Sequence, residues 1–307
     1  MSTSDLRIIS LIPSATEIVA ALGLGEKLVG RSHECDYPAQ VQHLPICTAA
    51  NLNSEEQSRE IHDQVTALLQ SALSIYRLDL EQLKHLRPTH ILTQAQCEVC
   101  AVSLADVEQA LGQMTQPSMQ VISLQPSRLE HIWQDMEQVA VTLGCSHQLI
   151  IAQLQSRITQ YQQQLGNISR RPTVACLEWT DPLMIAGNWV PELVSLAGGD
   201  PCLSTVGQHS SWLTWEQFLA ADPDIIVCMP CGFDLQQTTQ ATQELAQHPQ
   251  WQQLRAVQNH QIYVTDGNQY FNRPGPRLVD SMELLAEIFH PHIFTPRYAG
   301  QGWQRLN

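Results

Sequence analysis

Two polar loops hold the residues best suited to chemistry. Ser32-His33-Glu34-Cys35-Asp36-Tyr37-Pro38 offers an imidazole and a thiol two positions apart, and Gln94-Ala95-Gln96-Cys97-Glu98-Val99-Cys100 offers a Cys-x-x-Cys pair. Zinc takes Cys and His ligands in a tetrahedron, often with Cys-x-x-Cys as half the site, which makes His33, Cys35, Cys97 and Cys100 the candidate metal set. Cys228-x-x-Cys231 follows a second apolar strand, and two such pairs facing each other would suit zinc or an iron–sulfur cluster. As a redox pair, Cys97 and Cys100 would need a thiolate at a helix start, and a helical pattern does follow Cys100. The structural alternative is that Cys228 belongs to a core strand and His33 caps a loop, since the pairs lie far apart in sequence. No Gly-x-Gly-x-x-Gly, phosphate loop or Gly-x-Ser-x-Gly elbow is present, so no specific case for an enzyme arises.

Strands alternating with helices must position these loops. Apolar runs at 8–12, 27–31, 91–93 and 121–124, and again at 173–178, 225–228 and 262–265, are separated by helical patterns. Residues 55–72, 79–86, 104–114 and 128–143 read as helices in the first half, and 191–196, 214–220, 241–246 and 277–289 in the second; residues 39–53 read as loop. The alternation predicts mostly parallel sheets, whose ligands bind beyond the carboxyl ends of the strands. Those ends carry Pro13-Ser14, Gln94 and Gln96, Glu178-Trp179, the segment from Met229 to Phe233, and Asp266 to Phe271 with Tyr270. Ser14, near a helix start, is suited to an anion, and Asp266 is equally suited to a turn with Gly267.

Between the halves runs one long amphipathic pattern, residues 146–167, with Ile150, Leu154, Ile158, Tyr161 and Leu165 on one face, Ser146 as candidate N-cap and Gly166-Asn167 as stop. The halves resemble each other. LEQLKHLRPTHILT (80–93) aligns with WEQFLAADPDIIVC (215–228) without a gap, and the strand-helix openings at 7–24 and 173–199 and the strands at 121–124 and 262–265 follow in the same order. Shared order predicts two similar α/β lobes joined by the helix. The predicted division is 1–126, a helical connection 127–167, and 168–307.

Composition limits the partners. The 307 residues carry a formal charge of −14, with 43% hydrophobic and 15% charged residues. This suits a folded chain large enough for two cores and excludes a nucleic-acid surface, which needs clustered Lys and Arg. No run of about 20 apolar residues exists for membrane insertion. The opening segment lacks a basic leader region and is interrupted by Pro13 and Glu17. The nine Cys, odd in number and scattered, read as reduced thiols. On the sequence given, the expectation is a cytoplasmic chain, or a periplasmic one if a leader has been removed.

RIISLIPSATEIVAALGLGEKLVG (7–30), CDYP (35–38), LEQLKHLRPTHIL (80–92), the central helix and HPQWQQLRAVQNHQIYVTDGN (248–268) together resemble the helical-backbone class III of bacterial solute-binding proteins, in the cobalamin and iron-siderophore branch. The resemblance covers nearly the whole chain and is closest to the cobalamin-binding members. It implies two Rossmann-like lobes bridged by one rigid helix, a ligand cleft between them, and no enzymatic activity. It implies that Tyr37, Trp179, Trp189, Trp212 and Tyr270 stack on a corrin, and that one exposed Glu per lobe docks an ABC permease, with Glu98 or Glu108 and Glu244 as candidates. His33 or a Cys thiolate is a candidate ligand for the metal of a bound chelate. The expected function is binding of cobalamin or a related metal chelate. The alternatives are a cytoplasmic thiol-metal or redox protein holding zinc or iron, and an interaction module for a transporter.

Overall fold

In the computed structural model, which describes residues 5–51, 56–70, 76–94, 119–166 and 168–306, the chain divides into two α/β units. The first comprises 1–55, 63–126 and 130–152, and the second 56–62, 127–129 and 153–307. The expected helix at 104–114, and with it Gln96, Cys97, Glu98, Cys100 and Glu108, lies outside the described residues.

The first unit opens with β1 (Ile8–Ser10), α1 (Pro13–Ala21) and β2 (Leu28–Arg31). Pro13-Ser14, expected as a break, is instead the first turn of α1. Proline is at home there because its missing N–H has no helical acceptor and its φ is already helical. Next come β3 (Thr48–Ala50), α2 (Ser58–Gln70), β4 (Tyr76–Leu78), α3 (Leu80–Leu86), β5 (His90–Gln94), β6 (Gln120–Leu124) and α4 (Leu129–Leu143). Residues 39–53, expected as loop, contain a short 3-10 turn (Ala39–His43) and β3, which pairs antiparallel with β4. Three residues of Thr-Ala-Ala are too short to register as a period-2 pattern. The main sheet runs β2-β1-β5-β6, all parallel. Ile8, Ile9, Ile91 and Leu92 are fully buried, as strands covered on both faces require.

The expected central helix is α5 (Gln148–Leu165), about 27 Å long at 1.5 Å per residue. Leu154, Ile158 and Leu165 are buried on its apolar face. It starts two residues later than expected. The Ser146 hydroxyl donates to Gln148 Oε1 (2.9 Å), so it does not serve as the helix cap. The division between the units falls within this helix, after Ala152.

The second unit contains β7 (Thr173–Thr180), β8 (Leu183–Ile185), α6 (Val190–Leu196), β9 (Asp200–Pro201), β10 (Ser211–Trp212), α7 (Trp215–Ala221), β11 (Ile225–Cys228), α8 (Leu235–Leu245), α9 (Arg255–Gln258), β12 (Ile262–Thr265), α10 (Gly267–Tyr270), α11 (Leu278–Phe289) and β13 (Trp303–Arg305). Its sheet runs β10-β8-β7-β11-β12-β13, with β9 beside β7. Strands β7, β9, β11 and β12 are parallel, and the short β8, β10 and β13 are antiparallel additions with no sequence period to announce them. Every residue of α11 except Asp280 is buried, so this helix forms the interior of the unit.

The duplication is visible atom by atom. Asp79 and Thr214 cap α3 and α7, each side chain accepting from the N–H three residues on. The helices stop at Arg87 (φ 46°) and Asp222 (φ 38°), both left-handed and both directly before a proline. Thr89 then bonds the backbone of Arg7, and Asp224 that of Thr173, the residues that enter the first strand of each unit. The following strands, β5 and β11, lie beside β1 and β7 in the same register. The order β2-β1-β5-β6 thus matches β8-β7-β11-β12, except that β8 runs antiparallel.

One buried carboxyl in the first unit gives a test. Asp135 on α4 is 7% exposed, and its Oδ2 has no hydrogen-bond partner among the described residues. Burial pushes its pKa up from 3.8 to about 7, although the Gln125 N–H pulls the other way. Above that pH the folded state carries a buried carboxylate that the unfolded chain would solvate, so ionisation costs stability. Asp135→Asn is expected to raise the unfolding free energy. The gain should be absent near pH 4, grow up to about pH 7 and stay level above it, as read from urea titrations across that range.

Candidate functional site

Arg31, at the carboxyl end of β2, shapes the loop that follows it. Its Nη1 donates to Ser32 O (3.1 Å) and Cys35 O (3.0 Å), and its Nη2 to Gln42 O (3.0 Å). Ser32 N–H reaches back to Ser10 O at the end of β1 (2.8 Å). The loop thereby presents His33 and Glu34. Thr48 Oγ1, on β3, accepts from the His33 backbone N–H (3.0 Å), lies 2.7 Å from His33 Nδ1, and donates to Ser32 Oγ (3.0 Å). Burial and the Arg31 guanidinium lower the His33 pKa, so the ring is neutral at pH 7. Tyr76, on β4, donates to Glu34 Oε1 (3.0 Å), and its ring lies 5.5 Å from that of His33. Tyr37 is 47% exposed at the end of the same loop.

In the second unit, Glu178 stands near the carboxyl end of β7. Its Oε2 accepts from Ser210 Oγ (2.6 Å), and Ser210 Oγ accepts from the Gly187 N–H (3.0 Å). Burial raises the Glu178 pKa against the opposing pull of the Ser210 and Gly187 donors. Gly187 permits this close assembly, since a Cβ there would lie 2.4 Å from Gln208 O and 2.5 Å from Ser210 N. Two residues beyond Ser210, Trp212 is 57% exposed, with its ring edge-on to His62 at 5.2 Å. At the end of β12, Asp266 accepts from Gln269 N–H (2.8 Å) as the cap of α10, the turn role weighed for it. Arg273 and Arg277 are buried nearby and bond Asn268 Oδ1 (3.1 Å) and Gln269 Oε1 (3.4 Å). A groove of about 720 Å³ in this unit is lined by Ser58, Arg59, Asp181, Trp215, Glu244 and His248. Glu244 there accepts from Gln240 (2.8 Å).

Several expected site residues are buried or half-buried. Trp179 lies on β7, not in a loop; it is 8% exposed, and its indole N–H is shared between Asp181 O (3.0 Å) and Ser58 O (3.2 Å). Trp189 is buried and donates to Phe271 O (2.9 Å). Phe233 is buried with its ring 5.3 Å from that of Trp179. Ser14 is buried within α1, and Gln94 is buried as the last residue of β5. Tyr270 is half-buried, edge-on to Tyr298 at 5.8 Å. For the aromatic residues among these, ring area is better removed from water than displayed.

Of the candidate metal set, Cys97 and Cys100 lie outside the described residues, and only His33 and Cys35 can be placed. Cys35 is fully buried and its Sγ accepts from Thr16 Oγ1 (3.0 Å), which turns the thiol into the core and away from His33's outer nitrogen. Cys228 is a fully buried β11 residue whose pKa burial pushes up to about 12, the core-strand role weighed for it. Among the described residues, no group of three or more His, Cys, Asp and Glu could hold a metal ion. Sequence reading passed over Ser58, Arg59, Thr48, Tyr76, Ser210, Arg273 and Arg277. The one available signal was Arg-Pro-Gly-Pro-Arg at 273–277, a basic pair in a chain with only 16 Lys and Arg.

Parallel strands with fixed polar groups at their ends, on a duplicated α/β framework, are the setting in which small molecules bind to open α/β sheets. The chain belongs to the periplasmic binding protein family, which it matches over residues 8–269. It is a solute-binding protein and not an enzyme. It is 22% identical over 300 residues to YvrC, an uncharacterised ABC transporter substrate-binding lipoprotein of Bacillus subtilis, covering 94% of this chain and 81% of that protein. It is 26% identical over 289 residues to the vitamin B12-binding protein of Photorhabdus laumondii, covering 92% of this chain and 88% of that one. Among solved structures, the periplasmic heme-binding protein RhuT of Roseiflexus aligns with a TM-score of 0.68 at 23% identity, over 94% of this chain and 99% of that one. Among the described residues, no helix is long and apolar enough to cross a membrane.

Proposed function

We propose that this chain binds cobalamin or a related corrinoid-type metal chelate for ABC-type uptake, with the ligand taken by strand-end loops. The observation that carries the reading is that each unit has an exposed ring close in sequence to fixed polar groups, one in the loop after parallel β2 and one on the short antiparallel β10. These are Tyr37 next to the His33–Glu34 assembly and Trp212 two residues from Ser210. A corrin offers a flat face for such rings and amide edges for such polar groups. The name of the Photorhabdus relative supports the corrinoid, and that of the Bacillus relative supports the transporter. Glu244, half-buried on α8, is the permease contact that goes with this role, and a location outside the cytoplasmic membrane goes with it too.

The test is calorimetric titration of reduced, metal-free protein with hydroxocobalamin. One-to-one binding is expected, with a rise in melting temperature under saturating ligand. Trp212→Ala is expected to weaken it about tenfold, the equivalent of roughly 1.4 kcal/mol for a lost stacking contact. Neither heat nor a melting shift at millimolar ligand would overturn the corrinoid reading.

A further inference from the structure

We infer that His33 is an axial ligand for the metal of the bound chelate, its lone pair on Nε2 held outward by the Thr48–Ser32 hydroxyl relay. The inference rests on the chelate-binding reading above and names the atom that would meet the metal.

The argument is one of hydrogen counting. Thr48 Oγ1 has a single hydrogen, which it donates to Ser32 Oγ. Toward His33 it can therefore only accept, from the backbone N–H at 3.0 Å and from the ring at 2.7 Å. The ring hydrogen then sits on Nδ1, and Nε2 carries the lone pair. This is the arrangement found where a histidine holds a metal: the distal ring N–H is anchored by an oxygen, fixing both tautomer and orientation. Nε2 is not consumed by the nearest carboxylate, since Glu34 Oε1 lies 4.0 Å away and is engaged by Tyr76 at 3.0 Å. The His33 side chain is 26% exposed. Burial and Arg31 disfavour protonation, which keeps the lone pair available at neutral pH. Coordination involves no redox change. The Nε2 lone pair replaces a water on the metal, and that water leaves.

The experiment compares wild type, His33→Ala and Thr48→Val with two probes that have exchangeable axial positions, aquacobinamide and ferric protoporphyrin IX. It reads visible absorbance as well as affinity. Wild type is expected to shift the chelate spectrum to that of its imidazole complex. His33→Ala should lose that spectrum and regain it when free imidazole is added. Thr48→Val should keep the ligation but weaken binding by about tenfold, as loss of an outer-shell partner does. If His33→Ala binds either probe with the wild-type spectrum and affinity, the axial role is overturned and the chelate-binding reading stands. If wild type binds neither probe, both fall. Far-ultraviolet circular dichroism and melting temperature, unchanged in the variants, separate lost ligation from lost folding.

Discussion

Trp179→Ala is expected to lower the unfolding free energy of the second unit by about 3–5 kcal/mol, the range for deleting a large buried aromatic. The side chain is 8% exposed and stacks at a tilt on Phe233, itself 4% exposed, so its removal leaves a cavity that neighbouring strands cannot close. It also removes the indole N–H that Asp181 O and Ser58 O share, at 3.0 and 3.2 Å. Trp212→Ala is the paired control. At 57% exposure it should change stability by no more than about 0.5 kcal/mol, while weakening ligand binding. Urea unfolding of both variants, followed by far-ultraviolet circular dichroism, measures the difference. If Trp179→Ala unfolds like wild type yet fails to bind ligand, Trp179 is a ligand contact and its packing role is refuted.

Arg157→Met should cost about 3 kcal/mol, near the lower end of what breaking a buried ion pair does. Arg157, on α5, bonds Glu283 Oε1 through Nε (2.9 Å) and Glu283 Oε2 through Nη2 (2.8 Å), and it also bonds Asp280, both acids lying on α11. The Glu283 side chain is 2% exposed, so without Arg157 its carboxylate is left in the interior. The figure stays low because the Tyr298 hydroxyl still donates to Glu283 (2.8 Å), Arg297 lies 3.6 Å from it, and Arg157 itself is 34% exposed. Burial alone would lower the Arg157 pKa, but the Glu283 and Asp280 carboxylates hold it above its ordinary value. The double variant Arg157→Met with Glu283→Leu is expected to recover most of the loss, because it removes the stranded charge along with its partner. A double variant less stable than Arg157→Met would show that the network contributes net stability beyond its desolvation.

The two kinds of expectation fared differently, for a physical reason. The helix–proline–strand repeat was legible because its determinants are local. The capping side chains Asp79 and Thr214 act three residues away, Pro88 and Pro223 end their helices through the adjacent residue, and runs such as Ile225-Ile226-Val227 favour a buried parallel strand wherever they fall. Boundaries moved by about a turn at Pro13 and Ser146, where a side chain can act as cap or helical residue with little change in energy, and by six residues at α8, which was expected at 241 but starts at Leu235 after the Asp234 cap. The added antiparallel strands β8, β10 and β13 were invisible because two or three residues hold no period.

What the sequence by itself determined was therefore the duplicated α/β framework, the long helix between its halves, and the loops at the strand ends. The fate of each side chain in those loops was decided only by the tertiary structure. Trp179 and Trp212 have the same chemistry, yet one is fixed by Ser58, 121 residues away, and the other is left 57% exposed. Cys35 and His33 are two positions apart, yet Thr16 meets a thiol buried in the core while Thr48 holds an imidazole that stays 26% exposed. Local pattern sets backbone conformation through interactions a few residues long. Burial, tautomer and hydrogen-bond partner are set by residues tens to hundreds of positions away, and no spacing in the chain encodes them.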